Sequence, residues 1–150
     1  MAITTELCNS FKQELLQGVH TFGTDTFKLA LIKSGESGTY NKSTTNYSDV
    51  TGNSDEISAT GSGGNPYSTG GHTLASVTTT LSGDVAFVDF DDITFTNVTI
   101  DANGAIIYNA SESNKAVAII DFGTTQSADN GSFTINMPTN NSSNAIIRIT

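Results

Sequence analysis

The sequence predicts a mainly β protein: an antiparallel β-sandwich, or a barrel-like pair of sheets, with one N-terminal amphipathic α-helix and a long polar loop. Three observations carry that expectation. From His72 onward, short stretches of alternating apolar residues are separated by Gly-, Asn- and Asp-rich turns, the spacing of antiparallel all-β folds. The stretch Gly104–Phe122, GAIIYNASESNKAVAIIDF, is apolar on both faces of two strands, as in a hairpin covered on both sides. Helical periodicity is convincing only once, near the N-terminus.

That helix is expected over 5–22. Leu7, Phe11, Leu15 and Val19 recur every four residues, with Cys8 and Leu16 beside them, forming one stripe that must lie on a sheet or on another subunit. Thr4 or Thr5 is placed to cap it, Glu6 to oppose the dipole in the first turn, and Gly18 and Gly23 to end it. A strand follows over 26–32 (TFKLALI). Between residues 33 and 71 the composition turns to Ser, Thr, Asn, Gly and Asp, with Tyr40, Tyr47, Val50, Ile57 and Tyr67 as isolated anchors. So long a loop inside a compact domain is unusual.

The β-rich body is expected over 72–150. It comprises Leu74–Leu81, a turn at Ser82–Asp84, Val85–Phe90, Ile93–Ile100, a DANG turn at Asp101–Gly104 and then the apolar hairpin. A loop at Gly123–Asn130 leads to Ser132–Met137, ended by Pro138, and to a closing strand Ala145–Ile149. The whole chain of 150 residues is expected to form one domain.

Composition excludes several classes of function. Net charge is −9, and the six basic residues (Lys12, Lys28, Lys33, Lys42, Lys115 and Arg148) are scattered. A phosphate-binding surface needs them clustered, so no nucleic-acid partner is expected. The longest apolar runs are far below the ~20 residues that span a bilayer, so no membrane role is expected either. Cys8 is the only cysteine, which rules out an intrachain disulfide. The opening MAITTELCNSFK has neither a basic n-region nor an apolar h-region, so no secretory signal is expected. Solubility rests on Ser, Thr, Asn and Gly, because only 14% of residues are charged.

Candidate chemistry is sparse. Asp89, Asp91 and Asp92, with Asp121 on a nearby strand, are the best candidates for a hard cation. The order DFDD lacks the alternating acids and central Gly of a calcium loop, and a solvated strand face explains the cluster equally well. His20 and His72 stand without a nucleophile or metal-ligand pattern. GSGGNPYSTGG lacks the GK[ST] ending of a phosphate loop. Tyr40, Tyr47 and Tyr67 could stack on a sugar or a neighbouring protein, or pin the long loop onto the sheet. No catalytic constellation and no cofactor are expected.

Five segments together, SFKQELLQGVHTFGTDTFKLALI, YSTGG, VAFVDFDDITF, GAIIYNASESNKAVAIIDFG and FTINMPTNNSSNAIIRI, resemble small virion proteins of tailed bacteriophages, including cyanophages. The likeness covers both ends and the second half of the chain and is weakest over 33–64. It implies a non-enzymatic structural protein assembled in the host cytoplasm, with capsid decoration (cement) as the first reading. Its partner would then be the major capsid protein, and a homo-oligomer is expected. A head–tail, tail or baseplate component is the alternative; a carbohydrate-binding adhesin module is a further one. Under this reading Leu7, Phe11 and Leu15 of the helix, with Tyr40, Tyr47 and Tyr67 of the loop, are the candidate contact residues.

Overall fold

The computed structural model describes residues 2–150 and is mainly β, with antiparallel sheets and two short helices. In chain order the elements are β1 (Ala2–Ile3), β2 (Glu6–Leu7), α1 (Asn9–Leu16), β3 (Phe27–Lys33), β4 (Thr39–Tyr40), α2 (Ser48–Gly52) and β5 (His72–Thr73). They continue with β6 (Thr78–Ser82), β7 (Val85–Asp89), β8 (Ile93–Asn109), β9 (Lys115–Ile135) and β10 (Ile147–Ile149). The strands form a five-stranded sheet ordered β2-β9-β8-β3-β5, a three-stranded sheet ordered β10-β7-β6, and a small parallel pair β1-β4.

The long hairpin β8–β9 is the frame. Its near half is the apolar stretch read from the sequence: Ala105–Tyr108 and Ala116–Ile119 are all buried. One face carries Asn109, Ile107 and, across on β3, Phe27; there Phe27 meets Phe22 in a stack at 4.7 Å, and Phe11 packs edge-on to Phe22. The other face carries Tyr108, Ile106 and Ala30, and Tyr47 of the long segment stacks on Tyr108 at 4.4 Å. Cover on both sides explains why neither face is polar.

The far half differs. From Ile93 to Ala102, buried Ile93, Phe95, Val98, Ile100 and Ala102 are interspersed with exposed Thr94, Asn97, Thr99 and Asp101, the pattern of a sheet with one wet face. Phe122 and Phe133 lie in the same strand, yet their rings are 6.3 Å apart. A straight strand would separate residues eleven apart by roughly 36 Å. The hairpin therefore folds back on itself, and that bend produces the sandwich-like layering.

The bend corrects two expectations. Neither a DANG turn at Asp101–Gly104 nor a loop at Gly123–Asn130 exists: β8 and β9 run through both, with register shifts from Phe95 to Gly104. Between the pairs Gly104↔Asp121 and Ala102↔Gln126, β9 holds four residues against one on β8. Bulges of this kind bend a strand without ending it. Gly104 is required there, because a Cβ would strike the Ile120 carbonyl oxygen. The turn residues are real, but they mark a bulge.

The helix is shorter than expected. Leu7 is drawn into β2, where it pairs with Ala118 of β9, so the helix starts after Cys8 with no side-chain cap and no acid in its first turn. Glu6 instead accepts the Lys42 N–H at 3.0 Å. Of the stripe, Phe11 is buried and Leu15 packs against the core, while Leu16 faces solvent at 91% exposure. The stripe thus lies on the protein's own sheet.

Residues 33–71 are not a plain loop, since they contain β4, α2 and four bridged positions, Asn46, Glu56, Thr60 and Tyr67. Asn46 bridges to Lys115 at one edge of the large sheet, and Glu56 bridges to Ile32 at the other. Between these anchors the segment crosses the sheet face, burying Val50.

A candidate interaction groove

The three loop tyrosines are structural. Tyr40 and Tyr67 are each 1% exposed, and Tyr47 is half-buried on Tyr108. This corrects their place among the contact residues, and Phe11 and Leu15 leave that set for the same reason, because all five pack inward; Leu7 packs against the core and also lines the concavity described below. What holds the tyrosines is a pair of consecutive carboxylates. Asp55, fully buried, accepts the Tyr40 hydroxyl at 2.5 Å and the Ser37 and Gly38 N–H groups at 3.0 and 2.8 Å. Lys33 Nζ lies 3.6 Å away. Glu56 accepts from Tyr47, from Tyr67 at 2.8 Å and from the Gly70 N–H at 2.7 Å. The Tyr67 oxygen in turn accepts the Leu31 N–H at 2.9 Å.

Burial alone would push Asp55 up, but the hydrogen bonds from Tyr40, Ser37 and Gly38 outweigh it and hold the carboxyl below its ordinary range. Burial, reinforced by the carboxylates, pushes all the tyrosines up, Tyr108 to about 12. They stay neutral donors at any physiological pH. The stack of loop, carboxylates and phenols is a fastening, and nothing in it is free to react.

The four aspartates do not converge. Asp89 is 1% exposed, not on a solvated face; Oδ1 accepts the Phe90 N–H, and the Ile146 N–H also supports the carboxyl. Burial pushes its carboxyl up. Asp91 accepts the Ser76 hydroxyl at 2.6 Å, Asp92 accepts the Met137 N–H at 2.6 Å, and Asp121 accepts the Gly123 N–H at 2.8 Å. Each braces a different part of the chain. Among the described residues, no group of three or more His, Cys, Asp or Glu side chains is placed to hold a metal ion.

His20 lies past the end of α1 and is buried against Phe11 and Phe27. Its Nε2 bonds Glu14 at 2.8 Å and its Nδ1 faces Asn109 Nδ2 at 3.0 Å; Asn109 also donates to Asp25 at 2.8 Å. This chain of bonds ties the helix to the hairpin tip. Cys8 is fully buried, and burial with nearby acids pushes its thiol up to about 12, which makes it inert.

An open concavity lies in the elbow of β9. It has a volume of about 680 Å³, within the range of ligand and side-chain pockets. Phe122 and Phe133 from the two arms of the strand, Ile135, Met137 and Ile146 supply an apolar floor, and Leu7 closes one end. Thr5, Gln126, Ser127, Ser132, Thr134 and Asn136 supply its uncharged polar groups, and Ala118, Ile119, Ile120 and Pro138 complete the apolar lining. Among the described residues, Glu6 is its only ionisable lining residue, and that carboxylate already serves Lys42. Such a lining recognises apolar groups and hydrogen-bonding edges; it offers no acid–base pair. Apart from Leu7, sequence reading missed these residues because they come from segments separated by what looked like a loop. The alternation of Phe133, Ile135 and Met137 was visible, but not its meeting with Phe122.

Beside the groove, β9 is nearly an edge. Only Glu6 and Leu7 pair with its outer side within named strands, although β9 runs to Ile135. No described helix is long and apolar enough to cross a membrane. No protein-family model, curated protein or solved structure matches this chain.

Proposed function

We propose that this chain is a non-enzymatic structural component of a tailed-bacteriophage particle, set on the outer shell of the head as a decoration protein. In this reading the groove in the elbow of β9 receives an apolar segment of the capsid protein. The observation that carries the reading is the groove's lining: an apolar floor, a hydrogen-bonding rim and one ionisable side chain already engaged. That is the chemistry of protein docking, with an apolar centre and a polar surround. The resemblance of the whole-chain segments to virion proteins supplies the setting. Many identical weak contacts on a lattice hold together through effective concentration, so a groove of this size is sufficient.

The test is add-back to particles made without this protein. Wild-type chain is expected to bind heads saturably and to co-sediment with them. Phe122→Glu, which puts a charge on the groove floor, is expected to lose at least tenfold in affinity, about 1.4 kcal/mol, with an unchanged circular-dichroism spectrum. Equal binding by wild type and variant would move the contact away from the groove. Binding to tails alone would replace the head by the tail.

A further inference from the structure

We propose that two copies of this chain pair edge to edge through β6, antiparallel about a twofold axis at Thr80. β6 is the terminal strand of the three-stranded sheet, and all five of its residues are exposed. Edge strands of natural proteins are ordinarily protected by a charge, a proline, a bulge or a cover. The sequence TTTLS has no charge and no proline, and its pairing with β7 runs without a register shift from Thr78↔Asp89 to Ser82↔Val85. Its β-branched threonines favour an extended chain.

The hydrogen-bonding parity of this edge follows from the turn. Gly83, at φ +59°, and Asp84 close a two-residue hairpin on Ser82 and Val85. Ser82 and Thr80 therefore direct their main-chain groups at β7, and Thr79 and Leu81 direct theirs outward. An axis through Thr80 sets Thr79 opposite Leu81 of the second copy, with about four new main-chain hydrogen bonds. It sets Thr80 opposite Thr80, and Thr78 opposite Ser82, hydroxyl beside hydroxyl, which are favourable cross-strand pairs. The strand is complementary to itself.

Charge selects a second copy as the occupant. Two chains of net charge −9 repel, and contact is cheapest where acids are absent. Residues 57–83 contain no Asp, Glu, Lys or Arg, the longest such stretch in the chain, and β6 lies within it. The axis also sends the two Asp84 side chains to opposite ends of the joined strands. Leu81, 73% exposed, gains a neighbour in Thr79 of the second copy; it stands in one row with exposed Ala86 and with Ile149, 55% exposed. The contact is small beside the ~1,200 Å² of a stable interface, so the pair forms at high concentration. It is independent of the virion reading.

Cross-linking tests both pairing and register. Thr80→Cys puts two thiols across a non-hydrogen-bonded antiparallel pair, with Cα atoms about 4.5 Å apart, inside the range a disulfide spans. Mild oxidation is expected to give a covalent dimer in yield on the order of tenfold above that of Ser82→Cys, whose twofold mate is distant. The native thiol is buried and silent. Sedimentation velocity at several hundred micromolar is expected to show dimer for wild type and monomer for Thr79→Pro, which deletes an outward N–H and leaves the β7 ladder intact. Equal cross-linking at positions 80 and 82, or a wild type that stays monomeric, would overturn the proposal.

Discussion

The near half of the β8–β9 hairpin and the segment 33–71 lie against each other and are held by opposite means. Ala105–Ile107 and Ala116–Ile119 are buried with no ionisable side chain among them. The segment that covers them is fastened by Asp55 and Glu56, each accepting several hydrogen bonds from phenols and backbone N–H groups. Apolar packing is indifferent to proton concentration; the buried, hydrogen-bonded carboxylate of Asp55 is not. The contrast teaches that, of these two regions, the one that answers to pH is the covering segment, through Asp55.

The largest effect is expected from Asp55→Ala. It removes the carboxylate that accepts from the Tyr40 hydroxyl and from the Ser37 and Gly38 N–H groups and that lies beside Lys33, at a cost of roughly 3–5 kcal/mol at pH 7 by urea unfolding. Asp55 is held below its unfolded value, so its stabilisation is complete above the unfolded pKa of ~3.9. It is lost as pH falls through the folded value. The gap between wild type and Asp55→Asn is therefore expected to close as the solution is acidified below about pH 4. A gap that stays constant into strong acid would break the assignment.

Ile106→Ala, in the hairpin's buried face, is expected to cost roughly 2–4 kcal/mol. Its cost should be the same at pH 7 and pH 4, measured in the same urea series. A strong pH dependence would mean that packing and the carboxylate fastening are not separable.

The smallest effect has the opposite sign. Burial raises the Asp89 carboxyl above its unfolded value, so wild-type stability declines as pH rises through the folded pKa. Asp89→Asn keeps an acceptor for the Phe90 N–H and removes the buried charge. It is expected to raise the unfolding free energy slightly at pH 7, by up to about 1 kcal/mol read from the urea midpoint, and to lose that advantage in acid. A variant less stable than wild type at neutral pH would show that the ionised form is favoured.

How much of this was legible in the sequence depended on what each residue pattern reports. Two-sided apolarity over Gly104–Phe122 reports burial directly, and the hairpin was where it was expected. The four-residue periodicity of the N-terminus reported the helix but not its start, because pairing of Leu7 with Ala118 outweighs one more helical turn. Gly104 and Gly123 with their Asn and Asp neighbours read as turns, because bulges and turns need the same permissive backbone. The groove was hidden by that ambiguity: if the strand ends at Phe122, Phe133 belongs to a different element and no elbow exists. The tyrosines were ambiguous for another reason. Nothing local to Tyr40 or Tyr67 announces that the acceptors Asp55 and Glu56 will sit beneath them.

The decisive measurement for the proposed function is a cryo-electron microscopy map of the particle whose genome encodes this chain. Density for the fold at symmetric positions on the outside of the head, with Phe122, Phe133 and Met137 covered by capsid protein, is the expected result. A head without this density, or a chain bound with its β9 groove open to solvent, would contradict it.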